Sequence, residues 1–200
     1  MNKVLAFEPS HISAYSLIVE EGTPLCDNPD KFPALPDEDT EREMYWKTAE
    51  ILEKSGYQQY EISNYAKEGY VCRHNCGYWT RQDYLGFGIG AASLYDNIRF
   101  QNSDLLPKYL DNPLNCREAV EHLSLREQMD ETMFLGLRMR KGVDEVGFKE
   151  RFGVDMDEIY RSQIEESRKE GLLERRSGRV VLTDRGLDLS NYVMAKFLED

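Results

Sequence analysis

Three glycines at alternate positions, in Gly86-Phe87-Gly88-Ile89-Gly90-Ala91, constrain the fold of this chain more than any other stretch. A missing Cβ permits a close backbone approach that other residues resist. A dinucleotide-binding turn needs G-x-G-x-x-G opening a helix after a strand. The spacing here is instead the two-residue period of a strand. The pattern therefore predicts a strand over 84–95 whose backbone is approached closely by another element or by a ligand. It argues against a nicotinamide site.

The residues before this stretch read as α/β. His11 to Val19, HISAYSLIV, predicts a strand buried on both faces. Glu38 to Lys54 predicts a helix with Met44, Tyr45, Ala49 and Leu52 inward and Gly56 as its stop. Gln59 to Tyr65 reads as a second strand. A strand, a helix and a strand at this spacing predict a βαβ unit with parallel strands. Residues 70–81 read as loop and short turn. Asp96-Asn97 is a turn signal that sends Ile98 to Gln101 back as a hairpin strand. Parallel strands need neighbours and covered faces, so these elements are too few for a closed domain. The first half reads as part of a larger barrel or as loosely built.

The character changes after Asn112-Pro113. Ser124 and Glu127 form a capping-box pattern that opens a helix with Met129, Met133, Gly136 and Leu137 on one face. Residues 143–152 and 157–170 read as two further helices, stopped by Gly153 and Gly171. Leu172 to Arg176 and Arg179 to Leu182 flank the turn Ser177-Gly178. Thr183-Asp184 caps a last helix with Leu189, Val193 and Phe197 inward. Three helices, a hairpin and a closing helix predict a winged-helix-like α+β domain over 116–200, after an α/β domain over 1–115.

Composition narrows the partners. A net charge of −12 repels phosphate backbones, which argues against nucleic acid. No apolar run approaches the ~20 residues of a membrane helix. No secretory leader is read, so the expectation is a cytoplasmic protein; peripheral membrane association stays open. The four cysteines, at 26, 72, 76 and 116, read as reduced thiols.

His74 is the candidate metal ligand. An imidazole and a thiolate both bind haem iron, and Cys72 precedes His74 by two residues. Tyr78 and Trp79 lie about one helical turn further on, where aromatic faces could stack on a porphyrin. A hydrogen-bonded loop histidine, an inert thiol and two core aromatics fit the same residue types. Tyr15, inside the first strand, and Glu61 with Asn64, at the end of the second, occupy positions where barrels place ligands. Arg175, Arg176 and Arg179 on the hairpin, with Arg168 and Lys169, are interleaved with Glu165, Glu166, Glu170 and Glu174, which predicts a solvated mixed-charge face.

These strings together resemble one family. HISAYSLIVEEGTPL, GYQQYEISNYAKEGYVCRHNCGYW, YLGFGIGAASLY, ETMFLGLRMRKGVD and GLLERRSGRVVLTDRGLDLSN occur in the order found in HemN-like radical SAM proteins. That family comprises oxygen-independent coproporphyrinogen III oxidases and the related HemW haem chaperones. The H-N-x-x-Y-W string from His74 to Trp79 looks most like the chaperone branch. The resemblance implies the last strands and helices of a partial radical SAM barrel followed by the winged-helix-like domain. It implies haem bound by His74, Cys72, Asn75, Tyr78 and Trp79, with His74 as iron ligand. Tyr15, Glu61, Gly86, Gly88 and Gly90 are implied as cofactor contacts. S-adenosylmethionine and a 4Fe-4S cluster are implied for a longer protein alone, because the C-x3-C-x2-C motif is absent: Trp79 stands where a third cysteine would follow Cys72 and Cys76. A second departure is Ala92, where many relatives carry histidine. Haem or a porphyrinogen is the implied ligand, and haem-acceptor proteins are the implied partners. Whether the family's enzyme chemistry or its haem transfer applies stays open, and no catalytic residue is assigned within this chain.

Overall fold

The computed structural model of the chain describes residues 1–198, which divide into two compact units that part between Cys72 and Arg73.

The first unit runs α1 (Asn2–Leu5), β1 (His11–Ser13), α2 (Pro24–Asp27), α3 (Glu38–Lys54), β2 (Gln58–Glu61) and β3 (Asn64–Ala66), with a 3-10 turn at Pro29–Lys31. Helix α3 has the expected bounds, and its ends explain them. The Asp37 carboxylate accepts the Thr40 N–H at 2.9 Å, and Glu38, Asp39 and Glu41 sit at the positive end of the helix dipole. Gly56, at φ +85°, turns the chain away. Leu52 on α3 packs with Ile12, Tyr57 and Tyr65 into a small core. Met44, expected inward, is 57% exposed.

The sheet corrects the βαβ expectation. Its order is β1-β3-β2, and both pairings are antiparallel. β1 and β2 do run in the same direction, but β3 lies between them. The expected single strand 59–65 is folded back on itself at Ile62-Ser63. The Glu61 carboxylate accepts the Ser63 N–H at 3.1 Å and also the Asn64 side-chain amide, a local side-chain bond that competes with strand continuation. β1 is likewise shorter than His11 to Val19. Its partner strand ends at Asn64, and the last rung is the Ala14 N–H to the Ser63 carbonyl at 2.8 Å. Beyond it Tyr15, Leu17 and Ile18 are 70%, 62% and 76% exposed rather than buried. An apolar run becomes a doubly covered strand when neighbours cover it, and the described residues of this unit supply none there.

The second unit contains α4 (Arg73–Trp79), β4 (Ala92–Tyr95), β5 (Ile98–Asn102), α5 (Leu106–Asp111), β6 (Arg117–His122), α6 (Leu125–Gly136), β7 (Val143–Asp144), α7 (Glu145–Phe152), α8 (Met156–Lys169), β8 (Leu173–Arg176), β9 (Arg179–Leu182), α9 (Asp184–Asp188) and α10 (Ser190–Ala195). Two antiparallel sheets form, β4-β5-β6 and β7-β9-β8. Both expected hairpin turns are present. Asp96 and Asn97 have φ of +51° and +58°, and Ser177 and Gly178 have +51° and +72°, the double left-handed turn that matches strand twist. The capping box is also present: Ser124 N–H donates to Glu127 at 2.7 Å and Glu127 N–H to the Ser124 hydroxyl at 3.2 Å.

Met133, Leu137, Tyr160, Ile164, Val193 and Met194 are inaccessible to solvent. Phe148, Tyr160 and Phe197 stack edge-to-face through them. Gly136 lets α6 approach β7, because a Cβ there would lie 2.7 Å from Val143 Cγ2. Asp130 is buried among these groups and is satisfied by Arg126 Nε at 2.8 Å and by the Tyr160 hydroxyl. The expected last helix is two, broken at Leu189, which is 40% exposed rather than inward. No helix among the described residues is long and apolar enough to cross a membrane.

A candidate haem-binding helix

Residues 73–79 form helix α4 where the sequence predicts loop. Its C-terminal end shows why. The Gln82 N–H reaches back to the Gly77 carbonyl at 2.9 Å and the Arg81 N–H to the Tyr78 carbonyl at 3.1 Å. This pair of bonds is the Schellman cap, which requires a left-handed residue between the helix and its exit. Arg81 fills that role at φ +52°. A non-glycine residue there costs roughly 1–2 kcal/mol, and Arg81 is tied down to offset it. Its Nε donates to Glu131 at 2.6 Å and an Nη to the Asn97 side chain at 3.4 Å, with the residue 3% exposed. Glu131 also receives Arg99 at 2.5 Å, so one carboxylate holds two guanidinium groups. Burial and the charge of Arg81 push the nearby Arg151 guanidinium below its usual range.

His74 projects from α4 into solvent. Its ring packs edge-to-face on Tyr78, with centroids 4.7 Å apart, and Tyr78 packs in the same way on Tyr84 at 4.6 Å. Neither ring nitrogen of His74 hydrogen-bonds to another described residue. His11, by contrast, spends its Nε2 on the Tyr60 hydroxyl at 2.9 Å. An exposed imidazole with both nitrogens free can coordinate an iron atom without giving up a protein contact. Burial, and then the neighbouring Tyr78, push the Tyr84 phenol above its ordinary value.

Trp79 faces the other way. The Arg138 guanidinium lies over its ring at 4.4 Å, a cation–π contact that fixes α4 to the end of α6. Trp79 Nε1 and Arg138 Nε are buried without an acceptor among the described residues. Asn75 is half-buried on α4. Cys72, a free and half-buried thiol, closes the first unit, whereas His74 belongs to the second.

The glycine run is not a strand. Tyr84 and Leu94 form an isolated bridge, regular pairing starts at Ala92, and Gly88 and Gly90 take φ of +105° and +64°. The close approach at Gly86 comes from the chain itself, since a Cβ would meet the Ala92 carbonyl at 2.3 Å. Asn102 donates to the carbonyls of Gly86 and Gly88, at 3.1 and 3.0 Å, and Gly88 N–H donates to the Tyr109 hydroxyl at 3.0 Å.

In the first unit Tyr15 is exposed, while Glu61 is 1% exposed with one carboxylate oxygen bonded and the other without a donor. The Asn64 amide reaches both Glu61 and, at 3.5 Å, the Tyr15 hydroxyl. Tyr15 also lines a cleft of about 340 Å3 with Leu17, Leu35, Met44 and Tyr45. Among the described residues no three His, Cys, Asp or Glu side chains gather closely enough to hold a metal ion. A haem iron does not need such a group, since one or two protein ligands suffice.

Sequence comparison identifies the lineage. The HemN C-terminal domain profile matches residues 123–189. The heme chaperone HemW of Lactococcus lactis subsp. lactis is 36% identical over 202 residues, covering 100% of this chain and 53% of that protein. The heme chaperone HemW of Bacillus subtilis is also 36% identical, covering 99% of this chain and 53% of its own length. The chain belongs to the HemN-like family. It spans about half the length of the curated relatives it matches. In structure it is similar to the Escherichia coli coproporphyrinogen III oxidase HemN, described as a radical SAM enzyme, with a TM-score of 0.75 over 98% of this chain and 49% of that one. At 16% identity that likeness concerns the fold.

Tyr84, Arg138, Arg81 and Glu131 are the residues that sequence reading misses. None lies at helical spacing from His74 within a recognisable motif. One signal is available: between the H-N-x-x-Y-W string and the glycine run stands a single tyrosine, Tyr84, two residues before Gly86.

Proposed function

We propose that this chain is the haem-binding portion of a HemW-like haem chaperone, a protein that holds haem and passes it to acceptor proteins. The observation that carries the reading is His74, exposed on α4 with both ring nitrogens free and its ring packed on Tyr78. Asn75 and Tyr78 share its helix, and Cys72 precedes it. In this reading His74 is the iron ligand, Tyr78 backs it and Trp79 anchors the helix. An exposed ligand suits reversible loading rather than burial of a permanent prosthetic group.

S-adenosylmethionine belongs to the longer protein. Tyr15 and Glu61 are the contacts proposed for it in the first unit, and the donorless buried oxygen of Glu61 fits a hydroxyl or ammonium group. Gly86, Gly88 and Gly90, in the second unit, are proposed by themselves as a backbone surface for a cofactor. The cluster's cysteines are not among the residues of this chain, and no step is assigned to it here.

The alternative is coproporphyrinogen III oxidation by the longer protein, with porphyrinogen as ligand. The oxidase likeness rests on fold at 16% identity, and the chaperone likeness on 36% identity. A third reading takes the β7-β9-β8 sheet and its helices as a winged-helix-like interaction module. Its hairpin arginines are paired, Arg175 with Glu145 and Asp157, Arg176 with Glu174 and Arg179 with Asp144, which favours a protein partner over nucleic acid. Incubating the full-length, cluster-loaded protein with coproporphyrinogen III and S-adenosylmethionine separates the first two. The chaperone reading expects no decarboxylated porphyrinogen; its formation at enzymatic rates would assign the oxidase activity instead.

A further inference from the structure

We propose that Tyr84 is a positioning residue for His74, although it lies outside the H-N-x-x-Y-W string and ten residues along the chain. The inference rests on the haem reading above and adds to it the group that sets the imidazole's orientation.

A ligating histidine is normally aimed by a hydrogen bond from its second ring nitrogen to a carboxylate or carbonyl. His74 has no such bond to a described residue. Its ring is constrained by an aromatic contact instead. Tyr78 stands edge-to-face against it at 4.7 Å and an interplanar angle of 75°. A tyrosine on a seven-residue helix has its own rotamer freedom, so Tyr78 needs backing. Tyr84 supplies it, at 4.6 Å and 83°.

Tyr84 is itself fixed. Its backbone N–H and carbonyl both pair with Leu94, at 2.7 and 3.0 Å, which roots it in the β4 hairpin. The ladder His74–Tyr78–Tyr84 therefore runs from an exposed ligand atom to a rigid sheet. The Arg81 cap and the Trp79–Arg138 contact fix the helix axis. Neither reaches the imidazole, so rotation of His74 about its own side-chain bonds is limited by the ring ladder. Without Tyr84, Tyr78 gains freedom and the imidazole samples more orientations. The ligand atom survives, but its pre-organisation does not.

The test uses the imidazole proton resonances of this chain, which has three histidines, with His74 assigned by loss of its signals in His74→Gln. Wild type, Tyr84→Phe, Tyr84→Met and Tyr78→Leu are compared without haem and then titrated with hemin. The expected result is a His74 ring-current displacement in wild type and Tyr84→Phe that moves toward the Tyr78→Leu position in Tyr84→Met. Hemin affinity should fall roughly two- to ten-fold in Tyr84→Met, the range one aromatic pair contributes, with a wider spread of g values in the ferric EPR spectrum. A folded Tyr84→Met protein with wild-type His74 resonances overturns the proposal. If that variant does not fold, ring-to-ring nuclear Overhauser effects in wild type decide: their presence along the His74–Tyr78–Tyr84 series supports the ladder, and their absence overturns it. Unchanged hemin binding in His74→Ala would defeat the haem reading alone, because the haem-free resonances still decide the role of Tyr84.

Discussion

In the C-terminal unit Met133, Leu137, Tyr160 and Ile164 are inaccessible to solvent, and Asp130 among them has its bonding groups met by Arg126 and Tyr160. In the N-terminal unit Tyr15, Leu17 and Ile18, an equally apolar run, stand in the open, and the buried core comprises Ile12, Leu52, Tyr57 and Tyr65. One unit completes its own core and the other does not. Apolar sequence states a requirement for burial, and topology decides whether the same chain meets it. Helix α4, which carries the exposed His74, is held by contacts of Arg81, Tyr84 and Arg138 rather than by burial of His74 itself.

Core truncation should separate the units most. Leu137→Ala, at a position with no exposure, should cost about 2–5 kcal/mol in urea unfolding. Leu17→Ala, at 62% exposure, should stay within about 0.5 kcal/mol. Equal costs would show that the 15–19 run is buried in solution and that the contrast is wrong.

Glycine substitutions should have smaller effects. Gly86→Ala drives a Cβ into the Ala92 carbonyl and should lower stability by about 1–3 kcal/mol. Gly22, at φ +73° with open space around it, should cost about 1 kcal/mol on conversion to alanine, from backbone strain alone. Differential scanning calorimetry of both variants checks the order.

The cap at Asp144 gives a pH-dependent prediction. Its carboxylate accepts the Val146 and Gly147 N–H groups, each at 3.0 Å, and pairs with Arg179 at 2.5 Å. The Gly147 N–H foremost, aided by Arg179, holds the Asp144 carboxyl below its ordinary value. A depressed carboxyl stabilises the fold at pH values above its unfolded pKa, and that stabilisation is lost as pH falls through the folded value. Asp144→Ala should cost about 1 kcal/mol near pH 7 and should lose the part of the acid-side slope that Asp144 contributes. An unchanged slope in the variant would show the cap is not formed in solution.

The elements legible in the sequence are those whose signals are local. Gly56 stops α3, Ser124 and Glu127 open α6, and Asp96-Asn97 and Ser177-Gly178 turn two hairpins. The elements missed depend on distant or competing partners. Glu61 folds QYEISNY into a hairpin through its own side chain, and β6 is a charged strand, REAVEH, that exists because β5 offers an edge. Helix α4 was hidden because its left-handed cap is an arginine rather than a glycine, stabilised from 50 residues away by Glu131. The proposed site divides in the same way. His74 and Tyr78 stand at i, i+4 in the chain, while Tyr84 and Arg138 join them through tertiary packing that spacing does not encode.

Haem binding by His74 on α4 is the proposal on which the site depends. It is tested by a hemin titration followed by visible absorbance, on this chain and its His74→Ala variant. The wild-type chain should give a saturable Soret shift that disappears in the variant while the circular dichroism spectrum is kept. An identical Soret shift in both proteins would rule His74 out as the ligand.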